Sequence, residues 1–106
     1  MIRADFFVTK DGILRGYRIS GHAGMAESGK DIVCAFVSSA AYMTANTITD
    51  IIKADADAEA DDGEMFVMVA HKDAELCRDI LEGFKLHLIA TEEQYPEYLQ
   101  VNYMEV

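Results

Sequence analysis

Ile2 to Thr9 is rich in β-branched and aromatic side chains. Ile13 to Ser20 alternates polar and apolar, with Ile13, Arg15, Tyr17 and Ile19 on one face. Lys10-Asp11-Gly12 between them is a turn signal, so the segment predicts a β-hairpin. The period is then lost. Residues 21–31, GHAGMAESGKD, place three glycines in eleven positions, which predicts a mobile loop and a natural seat for function. From Ile32 to about Ile52 the chain is charge-free until Asp50, with apolar or small residues at every angle around a helix. This predicts a central helix, capped by Asp31 and covered on several sides. Ala54 to Ala60 alternates alanine with carboxylate, Asp61-Asp62-Gly63 is a turn, and Met65 to Ala70 is a compact apolar run, so a second hairpin follows. Its first strand goes against propensity, because alanine and aspartate both disfavour sheet. Asp73 predicts the start of a second helix running to about Glu93, with Leu76, Ile80, Phe84 and Leu88 toward the core, and Tyr98 to Val106 returns to strand. The order β-β-α-β-β-α-β predicts an α+β fold in which one mixed, mostly antiparallel sheet packs with two helices.

The 106 residues predict a single domain, 1–106, with no room for a separate cofactor domain. Its formal net charge of −10 opposes phosphate backbones and anionic lipid, so neither nucleic acid nor membrane is expected as a partner, and a basic partner is. The acid is concentrated: Asp50 to Glu64 holds seven carboxylates and one lysine. Two cysteines outside a CxxC arrangement, and an N-terminus unlike an export signal, point to a reducing, cytoplasmic setting. The charge-free run 32–49 contains Ser38, Ser39, Thr44, Asn46, Thr47 and Thr49, polar enough to read as a buried helix and not a membrane span.

Cys34 stands three residues after the expected cap Asp31, in what the pattern makes the first turn of the central helix, where the helix dipole favours a thiolate. His22 lies twelve residues upstream, within a loop that Gly21, Gly24 and Gly29 let fold back. A base within reach of a sulfur at a helix start is the minimum for an activated cysteine nucleophile. Spacing alone leaves a second reading open, a cysteine that is simply a small core hydrophobe. Cys77, beside Leu76, Ile80 and Leu81, reads as a core filler. No cofactor is required, and no metal site is expected. His71 and His87 have no partners at ligand spacing, and an EF-hand starting at Asp55 would want Gly and Glu where Ala60 and Phe66 stand.

The strings ISGHAG at 19–24 and GKDIVCAFVS at 29–38 resemble the signature of the ribosomal-processing cysteine protease family Prp, a GHAG loop followed by GxDIVCAxVS. The resemblance extends to the IRADFF-like first strand and the acidic second half. It implies a small bacterial protease with a His and Cys dyad, by position His22 and Cys34. It further implies removal of a short N-terminal extension from a basic protein of the large ribosomal subunit, and a homodimer. Phe36 departs from the alanine common in the family and touches neither dyad position. Gly21, Ala23 and Gly24 would let the backbone pass close to a substrate, and N–H groups around Cys34 would hold an oxyanion. Asp31 is open between helix cap and orienting partner of His22, and Ser38, one turn after Cys34, between the dyad and its own helix backbone. The alternative from a different class is a non-enzymatic ribosome-assembly or adaptor module that binds a basic ribosomal protein.

Overall fold

The structure is a computed structural model and describes residues 1–21, 28–61 and 63–106, with the side chains of 28–31 left aside. Strands β1 (Ile2–Val8) and β2 (Leu14–Ser20) form the first hairpin, turned at Gly12 with φ +87°. Helix α1 (Ser28–Asn46) continues into a π-helical turn, Thr47–Ile52. Strands β3 (Ala56–Asp61) and β4 (Glu64–Val69) make the second hairpin. Two short 3₁₀ turns, His71–Asp73 and Glu75–Cys77, lead into helix α2 (Arg78–Gln94), and β5 (Leu99–Glu105) closes the chain. The sheet order is β3-β4-β2-β1-β5, antiparallel at every junction except β1 with β5, so the α+β class and the mixed, mostly antiparallel sheet are as expected.

One face of the sheet carries the core. Ile2, Ala4 and Phe6 of β1, Tyr17 and Ile19 of β2, and Met65, Val67 and Val69 of β4 meet the buried stripe of α1 and the inner residues of α2. The ring of Phe84 makes edge contacts with Phe6 and Tyr17, at centroid distances of 5.6 and 4.7 Å. Gly16 allows β2 and β4 to approach, since a Cβ there would collide with the Val67 carbonyl oxygen.

Four expectations are corrected. Helix α1 begins at Ser28, ahead of the expected cap, so Asp31 lies inside the first turn and Cys34 beyond it. The helical backbone thus starts three residues earlier than the apolar pattern marks. Second, α1 is covered along one stripe only, Val33, Val37, Ala41, Thr44 and Ile48, while Ile32, Phe36 and Met43 stay 50, 48 and 54 % exposed. By length and hydropathy Ile32–Ile52 would pass for a membrane span despite its hydroxyls, but the fold packs that stripe on the sheet. Third, the inward line of the second helix is Cys77, Leu81, Phe84, Leu88 and Thr91, with Leu76 62 % exposed. The 3₁₀ turns cause the change, because three residues per turn rotate the face before the α-helix starts. The Asp73 carboxylate, expected as a cap, instead accepts the Asp55 N–H at 2.8 Å.

Candidate active site

Strand β2 delivers the chain to the site through Gly21, whose φ of +80° suits glycine alone, and whose Cβ, if present, would sit 2.5 Å from the Met1 carbonyl oxygen. Its N–H donates to the Gly63 carbonyl at 3.2 Å, so the exit of β2 is fixed between the chain's start and the β3–β4 turn. The expected base His22, with Ala23 and Gly24, lies outside the described residues, and of the segment 26–29 expected to be most mobile 26–27 lie outside them and 28–29 open the helix. Of the eleven-residue loop expectation, 28–31 are helix.

Cys34 is half-buried on α1 and packs against the core, and Ser38 follows one turn on, also half-buried. As the seventh residue of its helix, Cys34 has its N–H within the ordinary i to i−4 ladder. The N–H groups without a partner inside the helix are those of its first four residues, Ser28 to Asp31. The expectation that N–H groups around Cys34 hold an oxyanion rests in part on the loop before the helix, and residues 22–27 lie outside the described residues. Helix α1 is anchored from below, where the buried Tyr17 hydroxyl donates to the Ala41 carbonyl at 2.7 Å, and burial raises that phenol's pKa well above its usual value. Thr44 and Thr47 donate back to the Ala40 and Met43 carbonyls, each at 2.8 Å, just before the π turn. Lys53 ends that turn in the left-handed region at φ 59°.

Cys77 has no exposed surface. Burial, and to a lesser degree the Asp73 charge, pushes its thiol pKa up. No disulfide joins the two cysteines. Among the described residues no cluster of three His, Cys, Asp or Glu side chains is placed to hold a metal.

Sequence reasoning missed two features beside β3. A groove of about 160 Å³ runs between the flank of α1, at Tyr42, Ala45 and Thr49, and the alanines of β3, Ala58 and Ala60, over Met65. On the other side of β3 a cleft of about 230 Å³ is walled by Glu59, Asp61 and Glu64, with Phe66 and Arg18. The alternation of alanine and acid in β3 is the sequence signal that both share.

The family model of the cysteine protease Prp matches residues 1–100. The chain belongs to the Prp family of cysteine proteases. The ribosomal processing cysteine protease Prp of Staphylococcus aureus strain Mu50 is 30 % identical over 105 residues, covering 97 % of this chain and 99 % of that protein. The crystal structure of the essential ribosomal processing protease Prp from S. aureus in complex with a substrate peptide superposes with a TM-score of 0.89. That match is 28 % identical and covers 98 % of this chain and all of the other. The same protease in complex with a covalently linked product peptide gives 0.85, at 29 % identity over 98 and 100 %. Membership in a protease family sets the adaptor alternative aside, and a Prp protease acts through a thiol that a peptide can reach.

Proposed function

We propose that this chain is the ribosomal-processing endopeptidase of its cell, with Cys34 as nucleophile and His22 as general base, and that it removes a short N-terminal extension from a basic large-subunit ribosomal protein in the cytoplasm. One observation carries the choice of nucleophile: of the two cysteines only Cys34 has surface open to solvent, whereas Cys77 is sealed in the core with its thiol pKa raised. The family name and the acidic surface, net −10, support the substrate class. His22 takes the Cys34 proton and the thiolate attacks the scissile carbonyl. The C–N bond breaks as the amine leaves with that proton, and water then hydrolyses the thioester to regenerate the thiol. Backbone N–H groups of the helix start and of the segment before it hold the oxyanion. The covalently linked product peptide in the S. aureus relative agrees with such an intermediate. Gly21, Ala23 and Gly24 form the loop past which substrate runs, and Asp31 and Ser38 have supporting places on the helix. We further propose a homodimer through the uncovered side of α1, with no nucleic acid bound.

Incubation with the host's ribosomal protein bearing its extension is the direct test, read by product mass. Wild type and Cys77→Ala should yield the shortened protein, and Cys34→Ser should leave the mass unchanged. His22→Ala should slow the reaction by at least about a hundredfold with binding retained. Activity in Cys34→Ser would remove the mechanism.

A further inference from the structure

Strand β3 lies at one margin of the sheet, and its register decides which backbone groups are open. Asp55 accepts the Ala70 N–H at 2.8 Å, and Asp57, Glu59 and Asp61 stand opposite Met68, Phe66 and Glu64. The antiparallel alternation therefore turns the N–H and C=O of Ala56, Ala58 and Ala60 outward. Such margins are normally blunted. The opposite margin is: on the outer side of β5 the Val101 N–H donates to the Glu92 carboxylate at 2.8 Å. Among the described residues nothing comparable covers β3.

The two faces of this margin differ in chemistry. Toward α1, the small side chains of Ala58 and Ala60 are exposed and leave open the groove floored by Met65. Toward the open side of the sheet stand Asp57, Glu59 and Asp61, none of them in an ion pair among the described residues, while Glu64 is paired with Arg18 at 3.0 Å. The groove is also in line with the thiol. Positions 34, 38, 42 and 45 fall on one side of α1 at about 100° per residue, so Tyr42 lies about 12 Å along the helix from Cys34 on that same flank. β3 runs back toward the turn that holds Gly21, where β2 leaves for the loop.

We infer that the outer margin of β3 is the docking strand for the substrate. An extended segment of the basic target protein adds to the sheet beside Ala56, Ala58 and Ala60, with alternate side chains entering the α1 groove and the intervening ones meeting Asp57, Glu59 and Asp61. The recognised pattern is thus alternating, with apolar or small residues on one side and Lys or Arg on the other. A second copy of the chain is a poor occupant, because it would bring two rows of carboxylates together. The inference rests on the assignment of Cys34 as nucleophile, which gives the groove its direction.

A labelled peptide alternating valine and lysine, titrated into the Cys34→Ala protein, tests docking apart from cleavage; a valine and glutamate peptide is the control. Ala58→Pro removes an outward N–H while sparing the ladder to β4, and Glu59→Lys reverses one charge without touching the backbone. The lysine peptide should bind at least about tenfold more tightly than the control, and each substitution should weaken it at least about tenfold with the melting temperature little changed. In the processing assay on the wild-type background, both should raise KM and spare kcat. Equal binding of the two peptides, or unchanged affinity in both variants, would overturn the docking strand. So would variants that alter self-association in place of peptide binding. Peptide binding that is lost in the variants, beside a wild-type protein that cleaves nothing, would uphold the docking strand and remove the dyad assignment.

Discussion

Burial separates the two thiols of this chain by solvent: Cys77 has no exposed surface, while Cys34 is half-buried at the edge of the same core. Alkylation proceeds through the thiolate, so an enclosed thiol whose pKa is raised reacts slowly even when oriented well. Iodoacetamide at neutral pH should therefore add one label per native chain, mapped to Cys34, and a second only after denaturation. Rapid native labelling of Cys77 would mean that the core opens on the labelling timescale. Cys77→Ala should lose roughly 1–2 kcal/mol in denaturant melts, the scale for deleting a small buried side chain. Phe36, which departs from the family pattern, stands about 200° around the helix from Cys34 and is 48 % exposed, so it lies away from the thiol's flank.

Between elements, the approach to β3 is tied to the first 3₁₀ turn by the Asp73 carboxylate, beside a looser pairing of Lys72 with Asp55 at 3.9 Å. The Asp55 N–H bond to Asp73, helped by Lys72 at 3.4 Å, holds the Asp73 pKa below the ordinary carboxylate range. A depressed folded-state pKa contributes stability that is present above the unfolded value, about 4, and is lost as pH falls through the lower folded value. Asp73→Asn should accordingly flatten the loss of stability between about pH 4 and the acid limit, measured by urea melts across that range. An unchanged slope would show that the bond does not report on folding. The phase of the second helix is not legible in sequence. A period-four line of Leu76, Ile80, Phe84 and Leu88 and a line through Cys77, Leu81, Phe84 and Leu88 both fit the residues, and the two 3₁₀ turns choose between them. Hairpins and sheet composition were legible because alternation and turn residues are local. The start of α1 was not legible, because residues 21–31 are glycine-rich and carry no apolar period to mark where the loop ends and the helix at Ser28 begins. Which sides of α1 are covered was not legible, since a helix without charges looks the same whether neighbours or solvent face it. The groove beside β3 escaped because it exists only where α1 stops short of the sheet margin.

At the scale of the whole molecule, charge and apolar surface are segregated. Residues 31–106 hold 16 acids and four bases, yet 32–49 carries no charge and leaves Ile32, Phe36 and Met43 open along α1. Two copies each of net −10 repel, so they associate best through the stretch that contributes nothing to that repulsion. An apolar helix face that can meet its own two-fold image suits a symmetric homodimer. Salt should then act in opposite directions on the two proposed contacts. Screening weakens the attraction of the acidic margin for a basic peptide, and it relieves the repulsion between copies while leaving apolar burial intact. Raising salt from about 0.05 to about 0.5 M should tighten dimerisation, seen by sedimentation equilibrium, while loosening the lysine peptide. Phe36→Glu should give a folded monomer, because the side chain makes no part of the core and a charge added there is stranded on association. That monomer should still bind the lysine peptide, as the docking strand lies on another side of the helix. A wild type that is monomeric throughout, or a Phe36→Glu protein that still dimerises, would remove α1 as the contact between copies.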